Sequence, residues 1–199
     1  MTTQSTSSAA SPLRERFLEA GMTILAREGY ADFKQATVCA ETGLTTGAFY
    51  HSFRNWREFG TALIEYWRSE STDRLVAWLD TDVDPLVRSD ALVDVALDLP
   101  HAAEAAIRTW AAGDPAVRQA VDDVDAVRTQ AIVRYTLDLG VEREHARHLA
   151  RTAMLLLIGH QTAGSAVADL EWSMRHLLAT DPHVQAGLTR LREPDRSDR

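Results

Sequence analysis

The sequence predicts an all-α protein of about nine helices, in which a three-helix helix-turn-helix module precedes a larger helical domain. Three observations support this fold class. Apolar residues recur at helical spacing through most of the 199 residues. Glycine, proline and capping residues interrupt that pattern at intervals typical of helix ends. No segment shows the alternation of apolar and polar residues that would make a convincing strand.

Composition divides the chain into four parts. Residues 1–11 are rich in Ser and Thr and lack the basic start and apolar run of a signal peptide, so they predict a disordered tail. Residues 12–58 form the N-terminal module. Residues 59–185 form the larger domain, and residues 186–199 a polar C-terminal tail.

The first helix is predicted from Pro12 to Glu28. Proline suits the first helical position because its missing N–H needs no partner there. Ser11 is placed to cap this start, and Gly29 is placed to end the helix.

The segment from Thr37 to Phe53 predicts two helices joined by a tight turn. Gly43 ends the first of them, and Thr45 can cap the second because its hydroxyl can accept from backbone N–H groups. Phe49 and Phe53 lie four residues apart and therefore share one face. Such a unit is a helix-turn-helix, whose second helix enters the major groove of DNA.

The larger domain begins with a long fourth helix, predicted over about 55–79, whose aromatic and leucine side chains recur at helical spacing. The acidic segment 80–85 then predicts a solvated loop, since it lacks the glycine and distal glutamate of an EF-hand calcium loop. Five more helices are predicted over about 85–97, 101–112, 115–139, 142–167 and 170–179.

The formal net charge is −8, which is unusual for a chain that binds DNA. Residues 1–60 hold six Lys/Arg and six Asp/Glu, whereas residues 61–199 carry the whole negative excess. A neutral module in an acidic protein predicts modest DNA affinity, steep salt dependence and a need for two modules at once.

Several other classes of protein are disfavoured. No apolar run approaches the ~18 residues of a membrane span, so we expect a cytoplasmic protein with no membrane contact. The single cysteine, Cys39, excludes an intrachain disulfide. No phosphate loop, dinucleotide fingerprint or Gly-x-Ser-x-Gly motif is present, so we expect neither enzymatic activity nor a cofactor. His145 and His148 share a helix face, but no further ligands join them and no metal site is expected.

Residues 16–59 resemble the N-terminal DNA-binding domain of TetR-family transcriptional regulators. The family's first helix ends in Gly-Tyr or Gly-Phe, here Gly29-Tyr30. Its Gly-Val-Ser-x-Gly-x-Leu-Tyr-x-x-Phe motif is matched by Gly-Leu-Thr-Thr-Gly-Ala-Phe-Tyr-His-Ser-Phe over residues 43–53. Two positions where the family often has lysine are Thr46 and Trp56 here, which removes phosphate-binding charge. The resemblance implies a homodimeric regulator, usually a repressor, that responds to a small molecule.

The outward residues of the helix-turn-helix are the candidate DNA contacts. Threonine can contact several bases through its hydroxyl or methyl group, so the DNA sequence cannot be inferred. Tyr50, which matches the family's tyrosine, is a candidate phosphate contact together with Lys34 and Arg54. The candidates for the groove-facing surface are Thr45, Thr46, Gly47, Ala48 and His51.

Aromatic residues in the larger domain predict a partly open apolar cavity, with ordinary core packing as the alternative for each residue. Ligand pockets are mostly apolar, with a few polar groups that fix orientation, and the resemblance implies a small-molecule effector in this domain. The candidate lining is Tyr66, Trp67, Trp78, Ile107, Trp110, Tyr135 and Met154, with His101, Arg108 and His160 as polar groups.

Pattern and resemblance together predict a homodimeric regulator that binds near-palindromic double-stranded DNA and is released by a small apolar or aromatic effector. Small residues interleaved with leucines on the last two predicted helices permit a two-fold four-helix interface, with internal packing as the alternative. Two other functions stay open. One is a DNA-binding regulator without an effector, and the other is a small-molecule-binding protein with a weakened DNA module.

Overall fold

A computed structural model describes residues 12–79 and 85–192, apart from the side chains of residues 73, 74, 76–79 and 85–89. The predicted disordered tail, its cap Ser11, residues 80–84 of the predicted acidic loop and the last seven residues of the C-terminal tail lie outside this part. Every element in the described ranges is a helix and none is a strand, which confirms the all-α prediction.

Ten helices, rather than about nine, lie in the described ranges. The difference is α10, which covers residues that the sequence assigns largely to a tail. Asp181 ends α9 and also caps α10, because its carboxylate accepts hydrogen bonds from the backbone N–H groups of His183 and Val184, both at 3.0 Å. The helices are α1 (Pro12–Glu28), α2 (Gln35–Thr42), α3 (Thr46–Ser52), α4 (Trp56–Leu79), α5 (Pro85–Leu97), α6 (His101–Ala111), α7 (Pro115–Asp138), α8 (Arg143–Ala163), α9 (Val167–Thr180) and α10 (Pro182–Arg192).

The N-terminal module, α1 to α3, is built around buried phenylalanines. Phe17 of α1 meets Phe49 edge-on, with 5.5 Å between ring centroids, and the rings of Phe49 and Phe53 lie 5.3 Å apart. All three side chains are at most 1% exposed. The four-residue spacing therefore anchors one face of α3 to α1 and leaves the opposite face outward.

The turn between α2 and α3 has the predicted chemistry. Gly43 has φ +66°, a left-handed conformation that residues with a Cβ rarely adopt. The Thr45 hydroxyl accepts a hydrogen bond from the Ala48 N–H at 3.2 Å, which confirms the predicted cap of α3.

Helices α4 and α6 join the module to the larger domain. Helix α4 packs on both α1 and α7, and α6 packs on α1, α7 and α8. On α6 the Trp110 ring stacks on Tyr30 at 5.1 Å and lies 5.7 Å from Phe33. Gly60 of α4 allows this approach, because a Cβ there would lie 3.0 Å from the Trp110 ring. The two parts therefore share one continuous apolar core.

The rest of the larger domain packs α7 against α8, with α9 and α10 closing over α5. Two smaller apolar clusters fill it, one around Tyr135 and Val184 and the other around Met154 and Met174. In the described ranges, no helix is both long and apolar enough to cross a bilayer.

Candidate nucleic-acid interface and effector cavity

The outward face of α3 is the candidate nucleic-acid interface. Thr46, Gly47, Tyr50 and His51 are exposed, and Tyr50 is 54% exposed although it follows the fully buried Phe49. The Tyr50 hydroxyl donates to the Gln35 side chain of α2 at 3.4 Å, a long hydrogen bond that holds the ring beside the turn. This face can present hydroxyl, imidazole and backbone groups to a groove.

Two of the predicted groove contacts also have structural roles. Ala48 is half-buried against the core of the module, so only part of its side chain reaches the outward face. Thr45 is exposed, and its oxygen accepts the capping hydrogen bond while its O–H remains able to donate.

The predicted phosphate contacts are paired within the chain. Lys34 Nζ lies 2.9 Å from an Asp32 carboxylate oxygen, and Arg54 Nε lies 3.0 Å from Glu58. The Arg54 backbone N–H, and then its side chain, donate to Glu58 and hold the pKa of that carboxyl below its ordinary value. A phosphate must compete with these carboxylates, which agrees with the neutral charge of residues 1–60.

Two arginines of α1 that were not predicted as functional bind the ends of the helix-turn-helix. Arg14 donates to the Ser52 carbonyl at 2.7 Å and lies over the Phe53 ring at 4.3 Å. Arg16 donates to the Thr42 carbonyl at 3.1 Å. Both satisfy carbonyls at helix C-termini and thereby fix the angle between α1 and the helix-turn-helix. No local sequence pattern predicts this role, because the carbonyls that Arg14 and Arg16 bind lie 38 and 26 residues further along the chain.

An apolar cavity of about 70 Å³ lies between α4, α5, α7, α8 and α9. Its walls are aliphatic and thioether side chains, and its polar side chains are Ser71 and Arg128. The lining is Ser71, Leu75, Leu92, Val93, Val95, Ala96, Leu99, Arg128, Ile132, Ala153, Met154, Leu157, Met174, Leu177 and Leu178.

A buried ionic network lies behind Arg128. Its two terminal nitrogens donate to the two carboxylate oxygens of Glu104 at 2.9 and 2.6 Å. Gln161 donates to the same carboxylate at 2.6 Å, and the Trp67 indole N–H at 3.2 Å. Burial would raise the pKa of Glu104, but the Arg128 charge and these donors outweigh it and lower that pKa. The network ties α4, α6, α7 and α8 together.

Arg108 extends this network away from the cavity. Its guanidinium forms two 2.8 Å hydrogen bonds to the carboxylate of Asp125, and its Nε donates to Gln161 at 2.9 Å. Burial disfavours its charge, but Asp125 outweighs that effect and raises the pKa of Arg108. Arg108 therefore orients the Gln161 amide toward Glu104 rather than lining the cavity.

The structure separates the predicted ligand contacts into several places. Met154 lines the cavity. Ile107 and Tyr135 are fully buried core residues, and Trp110 lies at the junction with the module. The side chain of Trp78 lies outside the described part. Periodicity marks these residues as apolar but does not say which of them border the cavity.

Tyr66 and Trp67 line a second, more open groove beside α1. His101 and His160 pack edge to face at 4.5 Å, near the C-terminal end of α8. His160 is hydrogen bonded to Ser165 at 3.0 Å. Burial, and then the neighbouring His160, lower the pKa of His101 below its ordinary value of 6.5.

Several cavity residues are absent from the predicted set. Helix α5 contributes Leu92 and Val93, and α9 contributes Met174 and Leu177. The cavity's charged group, Arg128, has no distinguishing mark in the sequence of α7. In the part of the chain that the structure describes, no group of three or more His, Cys, Asp or Glu side chains could hold a metal ion.

Comparison with solved structures identifies the fold. The chain is similar to a Saccharomonospora viridis protein described as a transcriptional regulator in complex with choline, with TM-score 0.71, 21% identity and coverage of 84% of this chain and 96% of that one. It is also similar to a TetR transcription regulator from Haloarcula marismortui, with TM-score 0.66, 21% identity and coverage of 87% and 97%.

NemR from E. coli, in its reduced form, is a further match, with TM-score 0.65, 18% identity and coverage of 83% of this chain and 95% of that one. No protein-family model and no curated protein matches the chain. At these identities the likeness establishes the fold, over nearly the whole length of each relative: the chain has the fold of the TetR-family transcriptional regulators.

Proposed function

We propose that the protein is a homodimeric, DNA-binding transcriptional repressor that a small apolar or aromatic effector releases from a near-palindromic operator. The observation that carries the proposal is the helix-turn-helix, in which α3 is anchored by Phe49 and Phe53 while Tyr50, Thr46 and His51 face outward. An exposed second helix with polar side chains suits insertion into a major groove. The similar solved structures are transcriptional regulators, which supports the same role.

The outer faces of α8 and α9 support the homodimer. Leu155 is 71% exposed, Trp172 66% and Val167 46%, which is unusual for large apolar side chains. Exposed apolar patches of this kind mark protein contacts. A second copy is the partner we propose, because a two-fold axis presents two α3 helices to two half-sites about 34–36 Å apart.

The cavity and its ionic network support effector control. Trp67 lies on α4, which begins four residues after α3 ends and continues into the larger domain. Its hydrogen bond to Glu104 links α4 to the helices that surround the cavity. A ligand that favours the non-binding arrangement by a few kcal/mol is enough to release DNA. The choline bound to the S. viridis relative supports small-molecule binding by this fold.

The DNA-binding proposal is tested by fluorescence anisotropy with DNA that flanks the gene. Tyr50→Phe and Thr46→Ala should each weaken binding about tenfold or more, since each removes a hydroxyl from both reading helices of the dimer. Thr189→Ala on α10 is the control, because it removes an exposed hydroxyl far from α3 in sequence and should leave binding unchanged. Wild-type affinity for both variants would refute the assigned face.

The dimer is tested by sedimentation. Leu155→Glu and Trp172→Glu should shift the protein from dimer to monomer and weaken DNA binding together. Leu191→Glu is the matched control, since Leu191 is also an exposed leucine, 40% exposed, but lies on α10. A dimer that survives both substitutions would exclude the α8–α9 face as its interface.

A second candidate, a small-molecule-binding protein with a weakened DNA module, is favoured by the ion pairs of Lys34 and Arg54. The two candidates differ in their response to salt. A DNA-binding regulator should bind the flanking DNA at low salt, with log affinity falling linearly with log salt concentration. Absence of binding at low salt would favour the second candidate.

A further inference from the structure

Gln35, the first residue of α2, forms a hydrogen-bonded pair with Tyr50 of α3. The Tyr50 hydroxyl donates to the Gln35 Oε1 atom at 3.4 Å. The other end of the same amide, Nε2, is buried and has no hydrogen-bond partner among the described residues. Buried polar groups are nearly always paired, so this unused donor calls for an explanation.

The direction of the hydrogen bond decides what Tyr50 can offer to DNA. A tyrosine hydroxyl has one proton to donate. While Tyr50 donates that proton to Gln35, its oxygen can only accept. A phosphate oxygen is also an acceptor, so in this arrangement the hydroxyl has no proton for it, although Tyr50 is 54% exposed.

The Gln35 amide can reverse this direction. The oxygen and NH₂ ends of a side-chain amide are nearly alike in shape, and half a turn of the amide exchanges them. Nε2 can then donate to the Tyr50 oxygen, which leaves the hydroxyl proton free to point outward. Because the inward Nε2 group has no partner, the turn breaks no hydrogen bond on that side. Lys34 and Arg54 are paired with carboxylates, which in their ionised form only accept and cannot reverse in this way.

We propose that Gln35 is a positioning residue for DNA binding, an inference that rests on the proposed function. When DNA binds, the amide turns, Nε2 donates to the Tyr50 oxygen, and the Tyr50 O–H donates to a phosphate oxygen of the DNA backbone. The two hydrogen bonds then run in one direction and polarise each other, which strengthens the bond to the phosphate. Gln35 also keeps the Tyr50 ring beside the turn, as it does without DNA.

Gln35→Met tests the proposal through the sign of its effect on DNA binding. Methionine has nearly the same length and cannot replace the amide hydrogen bond. If Gln35 only competed with DNA for the hydroxyl proton, its removal would strengthen binding. We expect binding about fivefold weaker instead, because one supporting hydrogen bond is lost. The measurement is fluorescence anisotropy with the DNA that flanks the gene.

Gln35→Glu is a second test, with a side chain that can only accept. It should hold the Tyr50 proton inward and place a negative charge near the phosphate, so binding should weaken about tenfold or more. A carboxylate in the first turn of a helix is favourable, so the fold should be retained, as circular dichroism would verify.

A double-mutant cycle with Tyr50→Phe separates the proposed role from a general structural one. Gln35→Met should cause no further loss in the Tyr50→Phe background, because the hydroxyl that it supports is absent. Its slope of log affinity against log salt should match wild type, since no charge is removed. Gln119→Met is the matched control. It removes an exposed glutamine that donates to Asp123 at 2.9 Å on α7, and should leave binding unchanged.

The two proposals fail in distinguishable ways. Unchanged or stronger binding by Gln35→Met, or an equal loss with Tyr50 and with Phe at that position, would overturn the role of Gln35. Wild-type binding of the flanking DNA would then leave the proposed function standing. Absence of DNA binding by the wild-type chain at low salt would overturn both.

Discussion

Removal of the buried carboxylate of Glu104 is the sharpest test of how the larger domain is held together. The carboxylate is 1% exposed and accepts four hydrogen bonds, two from Arg128 and one each from Gln161 and Trp67. In Glu104→Gln the side chain keeps its shape but loses its charge. Its new NH₂ group must face at least one of these donors, and Arg128 remains charged at 6% exposure.

The size of the effect follows from burial. Breaking a buried pair by removing one partner costs about 3–5 kcal/mol, because the remaining charge is left uncompensated. That is a large part of the roughly 5–15 kcal/mol that stabilises a typical protein. For a chain of this size, each kcal/mol of lost stability lowers Tm by about 2–4 °C, so Tm should fall by roughly 6–20 °C.

The assay is urea unfolding followed by circular dichroism. All variants are compared at one protein concentration, because dimerisation would couple unfolding to concentration. Asp32→Asn is the matched control. It removes a carboxylate 2.9 Å from Lys34, but both side chains are more than 60% exposed, so the loss should be below about 1 kcal/mol.

Replacement of both charges gives a further check. Glu104→Gln with Arg128→Met removes the uncompensated charge and should lose less stability than Glu104→Gln alone. Equal, small losses for Glu104→Gln and Asp32→Asn would refute the reasoning, since burial would then have no influence on the pair.

Two further predictions concern the pH dependence of stability and the turn between α2 and α3. Burial lowers the pKa of His101 in the folded state below its ordinary value of 6.5. Above pH 6.5 the ring is neutral in both the folded and the unfolded protein. As the pH falls below 6.5 the unfolded protein binds the proton more readily, so the free energy of unfolding decreases. When the pH is lowered from 7.5 to 5.5, the urea midpoint should therefore fall less in His101→Gln than in wild type. His148→Gln, which replaces an exposed histidine, is the control and should behave like wild type. An equal fall in all three proteins would contradict the role of His101. Gly43→Ala should lower the free energy of unfolding by about 1–2 kcal/mol because φ is +66°. Gly47→Ala, four residues later in α3, should be neutral or stabilising because a Cβ there meets only Thr45 at an ordinary 3.6 Å; similar losses for both would be inconsistent with the turn geometry.

The helix-turn-helix was predictable because its determinants are local. Gly43 permits the left-handed turn, Thr45 caps the next helix, and the spacing of Phe49 and Phe53 defines the buried face. Each of these effects acts over a few residues of chain. The extra helix α10 was missed for a related reason: Asp181-Pro182 is equally suited to ending one helix and starting the next.

The cavity was less predictable, because helical periodicity shows that a face is apolar but not which face it meets. Trp110 fits a ligand pocket by composition, yet it packs on Tyr30 and Phe33 at the junction with the module. Met154 lines the cavity beside residues of α5 and α9 that have no distinguishing pattern.

The sequence by itself determined nine of the ten helices in the described ranges, the outward face of α3 and the neutrality of the N-terminal module, since propensity, capping and charge count are properties of neighbouring residues. Only the tertiary structure decided that Glu104 meets Arg128 across 24 residues and Gln161 across 57. It also decided that side chains of α4, α5, α7, α8 and α9 surround one apolar cavity. These features depend on how whole helices pack, because buried charges and cavities exist only where distant segments surround them.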